Sequence, residues 1–256
     1  MKPEPDEKAF DWILRERDTK QKKSAANWRG NFVSQLVPPV FEAYAKILHR
    51  IDAKYKGLDN PLSSSEIELL KIPSCEPLKS FVEKRRSDPA GLRIRWKELA
   101  ELLDIEFAPE ICHEWYRSKL EDPWCWPHLL YGPADGWLSE DECKAIGEAL
   151  DPFKDTDRCF FRFSDIPFIT TPTLPQLFGG TVHEVNDFLK SRERTQFGFE
   201  YWWPQSRSWC VCSDYDLMFT FVGGSRELVS ALLKNDVLEC LEVTPRTRVD
   251  SLVPIA

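Results

Sequence analysis

No stretch of the 256-residue chain approaches the roughly 20 consecutive apolar residues that a membrane-spanning helix requires. The opening MKPEPDEKAF likewise has no apolar core of a secretory signal. No membrane contact is therefore expected, and the expected location is the cytoplasm. In that reducing compartment the eight cysteines stand as thiols and not as a disulfide framework. Cofactor signatures are missing too. No glycine-rich loop carries a Walker lysine, and no glycines take Rossmann spacing. Cys210-x-Cys212 puts two sulfurs on one face of a strand, but no second Cys/His pair at ligand spacing completes a zinc set. Cys112 and His113 are adjacent and splay apart. The expectation is no metal and no cofactor, and both thiols read as small buried hydrophobes.

Positive charge is outnumbered, 34 Lys/Arg to 42 Asp/Glu. The formal net charge is −8, which argues against a dedicated nucleic-acid binder. It is unevenly spread. Residues 1–100 hold 20 Lys/Arg against 15 Asp/Glu, and residues 101–256 hold 14 against 27. The front is thus mildly basic and the remainder strongly acidic. Solvated or mutually packed faces explain such runs in most proteins. No aromatic residues interleave with the basic ones in a nucleic-acid module, so nucleic acid is not an expected partner.

What the chain has in quantity is tryptophan, ten in all, most of it expected in the core. In chain order, Lys8–Arg17 reads as a short helix and Lys20–Ala26 as a polar connection. Val40–Ile51 spaces Phe41, Tyr44, Ala45, Leu48 and Ile51 as an amphipathic helix entered through Pro38-Pro39, with His49 near its end. Short helices are read at Glu66–Lys71, Leu78–Arg86, Ile94–Asp104 and Pro109–Leu120. Asp122–Gly136, rich in Pro, Gly and aromatics, reads as a connection between halves. Ser139-x-x-Glu142 is a capping box that opens a helix to about Leu150. Strands then dominate: Arg158–Phe163, Thr181–Val185 (followed by a helical turn, Asn186–Lys190), Phe197–Trp203 and Leu238–Val243. The resulting expectation is an α+β fold. A helical N-terminal half precedes a mixed or antiparallel sheet of about four to six strands with flanking helices. The expected divisions are an N-terminal extension, 1–35, a mainly helical region, 36–135, and a sheet region, 136–256, the last two forming one compact domain or two.

The densest aromatic run is Tyr201–Leu233. Cys210–Cys212 alternates as a strand, Asp214-Tyr215-Asp216 supplies turn chemistry, and Leu217–Val222 is a second, antiparallel strand. Gly223-Gly224 breaks it, and Ser225 caps a helix carrying Leu228, Leu232 and Leu233. Together with Val37–Ala45, the segments Trp202–Val211 and Val222–Ser225 make this chain resemble a family of uncharacterised bacterial cytoplasmic proteins. Members pair V-P-P-x-F-E-A-Y-A with a later W-W-P-x-x-R-x-W-C-V and V-G-G-S. The resemblance runs from about Val33 to Val243. It implies a bacterial protein with an α+β fold and implies no activity.

Three features in this run carry candidate chemistry. Trp202 and Trp203 face opposite ways in a strand, so one of them is a candidate for an exposed anchor beside Arg207; Trp, Tyr and Arg dominate interface energetics. Asp214 and Asp216 form an acidic pair at a turn. Gly223, Gly224, Ser225 and Arg226 offer backbone N–H groups and a positive charge at a helix start, a place where anions bind. No residue is marked as a catalytic group, and the reading leans away from an enzyme. The favoured function is a non-enzymatic protein-binding role of immunity or antitoxin character, through the aromatic surface and the acidic turn. Its protein partner and oligomeric state are not specified. The alternative is a small-molecule binder or enzyme with a pocket between helical half and sheet, lined by Arg207, Asp214, Asp216 and Gly223–Ser225.

Overall fold

A computed structural model describes residues 1–18, 31–53, 78, 80, 81, 84, 93–119, 130–153, 158–163, 176–191 and 198–249. Among them are eleven strands: β1 (Lys2–Pro3), β2 (Ala43–Leu48), β3 (Ile51–Ala53), β4 (Arg93–Ile94), β5 (Leu130–Tyr131), β6 (Cys159–Phe163), β7 (Leu177–Gly180), β8 (Phe199–Pro204), β9 (Cys210–Cys212), β10 (Phe219–Gly224) and β11 (Cys240–Val243). Six short helices accompany them: α1 (Asp11–Glu16), α2 (Trp96–Leu102), α3 (His113–Lys119), α4 (Glu140–Leu150), α5 (Val185–Ser191) and α6 (Arg226–Leu233). None of the described helices is long and apolar enough to cross a membrane. Contacts divide the chain into two units, one built from Met1–His49 with Ala134–Asp250, the other centred on Arg50–Pro133.

The first unit is organised by one sheet of eight strands in the order β1-β7-β6-β8-β9-β10-β2-β11, every neighbouring pair antiparallel. This corrects the expected fold class: a helical N-terminal half is not seen among the described residues, and the sheet is larger than four to six strands and draws strands from both ends of the chain. The decisive difference lies at Val40–Ile51. Its helical spacing is genuine, yet Ala43–Leu48 forms a strand between β10 and β11. All six residues are buried. A strand covered on both faces has no polar side to reveal its two-residue period, so spacing alone cannot separate it from a helix. Even Lys46 is fully buried, its Nζ 4.0 Å from the centroid of the Phe219 ring.

One face of the sheet carries Ala43, Ala45, Ile47, Phe161, Phe178, Trp202, Val211 and Val222. It packs on Ile146 and Leu150 of α4, Val185 of α5 and Leu228, Val229 and Leu232 of α6. The other face carries Tyr44, Phe160, Arg162, Tyr201, Trp203, Cys210, Cys212 and Phe221, as the strand registers dictate. The N-terminal segment covers it. Phe10 sits 5.1 Å from the Tyr201 ring and 5.8 Å from Trp203, with the Arg162 guanidinium 4.3 Å above Phe10. Arg17 Nη1 donates to Tyr201 Oη at 2.6 Å, and that hydroxyl donates to the Leu36 carbonyl at 3.0 Å.

The capping box opens α4 as its residues predict: Ser139 Oγ accepts from the Glu142 amide, and Glu142 Oε2 accepts from the Ser139 amide. The expected strand Thr181–Val185 is instead a 3-10 turn, Val182–Glu184, leading into α5. Gly223 and Gly224 do not break β10 but belong to it. In the second unit β3 pairs with β4 and β5, and Tyr116 Oη of α3 donates to the Trp96 carbonyl of α2 at 2.8 Å. The expected helix Glu66–Lys71 and the connection Lys20–Ala26 lie outside the described residues, as do most of Leu78–Arg86 and of Asp122–Gly136.

Candidate functional site

The nine residues singled out above come from one hairpin and its flanks, and the sheet distributes them to opposite ends. Cys210 pairs with Gly223 and Cys212 with Phe221. The turn 213–218 therefore closes one end of the β9–β10 hairpin, and Gly223–Arg226 leave from the other. Arg207 lies in the β8–β9 connection, at the Gly223 end. The pairing does not bring Arg207, Asp214, Asp216 and the Gly-Gly-Ser turn into one pocket.

Trp202 and Trp203 do face opposite sides of β8, but both are buried, each 1% exposed. Trp202 enters the helix-covered core. Trp203 stacks on Phe160 at 5.5 Å and lies under Phe10. Neither is an exposed anchor. Arg207 is exposed, holds φ 61°, and sits 5.4 Å from the ring of buried Trp12.

The Gly-Gly-Ser start of α6 is already filled by the protein itself. A Cβ on Gly223 would lie 2.4 Å from Phe41 Cδ2, and one on Gly224 would lie 2.6 Å from Leu228 Cδ2. The glycines thus make room for rings and for the helix. Ser225 Oγ accepts from the Leu228 amide, and the Arg226 amide donates to the Glu42 carboxylate at 3.2 Å. An internal carboxylate takes the place an external anion would take.

The opposite end is different. Asp216 and Tyr215 are exposed and Asp214 is half-buried. The turn is firmly held: the Asp216 amide donates to Asp214 Oδ1 at 3.0 Å, the Leu217 amide to the Asp214 carbonyl at 3.0 Å, and the Gly136 amide to the Leu217 carbonyl at 2.8 Å. Gly136 has φ +60°, and a Cβ there would lie 2.5 Å from Tyr215 Cα. The exposed Asp135 precedes it. Asp216, partial burial and Asp214 together hold the Tyr215 phenol above its usual range, the direction imposed by a negative field.

Behind this turn runs a buried polar chain that sequence reasoning missed. His49 Nδ1 lies 2.7 Å from the Ala134 carbonyl, Nε2 lies 2.8 Å from Thr220 Oγ1, and Ser213 Oγ lies 2.6 Å from the same hydroxyl. A carbonyl only accepts, so Nδ1 carries the proton. Nε2 then accepts from Thr220, and Ser213 donates to Thr220. Burial pushes the His49 pKa below its ordinary value, against the opposing pull of Glu142. A neutral histidine tying β2 to β10 is a structural element. Its signal in sequence was hidden by the helical reading of Val40–Ile51.

Cys210 and Cys212 share a face as their spacing predicts, and burial drives both thiols well above the usual range, keeping them protonated. Among the described residues, no three His, Cys, Asp or Glu side chains converge as a metal set. No family model, curated protein or solved structure matches the chain.

Proposed function

We propose that the chain is a non-enzymatic binding protein of the bacterial cytoplasm. It would present the turn Asp214-Tyr215-Asp216, with Asp135 beside it, to a basic surface on a protein partner. The single observation that supports this reading most is the rigid seating of an exposed acidic–aromatic turn. Its carbonyls and amides are tied to the hairpin and to Gly136, so little ordering entropy is lost on docking. A tyrosine flanked by carboxylates offers an aromatic contact with charges that steer a cationic partner. The acidic balance of residues 101–256, 27 Asp/Glu to 14 Lys/Arg, points the same way. Trp202 and Trp203 enter this reading as scaffold.

The test is affinity capture from lysate of the protein's own organism, read by mass spectrometry. Bait is the wild-type chain and, in parallel, the Asp214→Asn/Asp216→Asn double variant. Asparagine keeps an oxygen for the Asp216 amide, so the turn persists while its charge is lost. The reading expects a basic protein held by wild type at low salt and lost from the double variant. Equal capture by both would overturn it.

A further inference from the structure

Between α4 and α5 lies a cleft of about 320 Å³. Its described walls include the apolar surfaces of Trp137, Leu138, Leu189 and Cys143. The Cys143 thiol points to the Leu138 carbonyl at 3.9 Å, and burial, with Glu142 and Glu140 adding to it, raises its pKa so that it stays protonated. It is an inert apolar wall and not a nucleophile. The volume stands at the lower end of the roughly 300–1,000 Å³ typical of small-molecule sites. It equals the space of on the order of ten waters at ~30 Å³ each. A compact ligand fits.

The polar part of the cleft has a specific character. Lys190 Nζ on α5 donates to Glu140 Oε1 on α4 at 2.5 Å, and both side chains are more than half exposed. Asn186 Nδ2 donates to the Glu140 carbonyl at 3.2 Å. One cation and one anion thus stand side by side over an apolar floor. An exposed pair of this kind stabilises by only about 0–1 kcal/mol, so opening it costs little. A neutral ligand would leave it closed. A simple anion would take Lys190 and strand Glu140. A zwitterion exchanges one ion pair for two.

We propose that the α4–α5 cleft binds a free α-amino acid with a large apolar side chain. The side chain packs on Trp137, Leu138, Cys143 and Leu189. The α-carboxylate meets Lys190, and the α-ammonium meets Glu140, beside the Trp137 ring. The cleft uses none of the turn residues Asp214–Asp216, and the inference does not depend on the protein-binding reading.

Isothermal titration of the full chain with L-phenylalanine and L-leucine tests it. Each is compared with its deaminated and its decarboxylated analogue, and with the variants Lys190→Met and Leu189→Trp. The expected result is saturable binding of at least one of the two amino acids. Loss of either charge from the ligand should weaken it at least about tenfold, the scale of one charge-assisted hydrogen bond. Lys190→Met should do the same, and Leu189→Trp should fill the cleft and abolish binding. Lys190 is exposed, so its variant keeps the fold and decides the matter even where Leu189→Trp does not fold. The proposal is overturned by no binding of either amino acid at millimolar concentration, by an analogue binding as tightly as its parent, or by Lys190→Met binding like wild type.

Discussion

Glycine and histidine, at residue scale, show how local chemistry is absorbed by packing. Gly136 sits where a side chain would strike the Tyr215 backbone, and its positive φ disfavours any L residue. Gly136→Ala should cost at least about 2 kcal/mol of stability. Gly223 has ordinary backbone angles but faces the Phe41 ring, so Gly223→Ala should cost about 1–3 kcal/mol through overpacking. Urea midpoints of the two variants check both figures. His49 gives a pH dependence. Its folded pKa lies below the ordinary 6.5, so the unfolded chain binds a proton before the native one does. The His49 contribution is therefore intact above about pH 6.5 and is lost as pH falls below that value. His49→Gln should flatten this part of the stability–pH curve in urea titrations between neutral pH and mild acid.

At the scale of elements, legibility followed exposure. The helix α4 was readable because its cap is local: Ser139 and Glu142 satisfy each other's amides. Ser139→Ala should cost about 1 kcal/mol, measurable as a lower thermal midpoint. The β9–β10 hairpin was readable from two apolar runs around Asp-Tyr-Asp. The strand β2 was not. Its neighbours in the sheet come from residues 219–224 and 240–243, about 170–200 positions away in the sequence, and nothing local reports that both its faces are covered. The same cause misplaced the candidate anchors. Alternation along β8 correctly set Trp202 and Trp203 on opposite faces, but the N-terminal segment covers the face that was expected to be open. Truncating either tryptophan to alanine should cost about 3–5 kcal/mol. The loss should appear in unfolding curves and should not be confined to partner binding.

On the scale of the whole molecule, scaffold and exposed turn are distinct parts of the first unit. The eight-stranded sheet of the first unit consumes most of the aromatic run. It leaves exposed, at one end, a charged turn whose two aspartates and one tyrosine are not needed for the core. The Asp214→Asn/Asp216→Asn variant should therefore unfold within about 0.5 kcal/mol of wild type, as surface substitutions do. The charge imbalance was legible from composition alone. The placement of Asp214 and Asp216 at the end of a hairpin seated on Gly136 was not, because that depends on the pairing of β9 with β10 and on the contact of Gly136 with Tyr215.

The most direct measurement is amide hydrogen exchange of the wild-type chain with and without its captured partner. Added protection is expected in peptides covering 134–137 and 213–218, with β8 unchanged because it is paired on both sides within the sheet. Added protection centred on Phe199–Pro204, or none at the 213–218 turn, would contradict it.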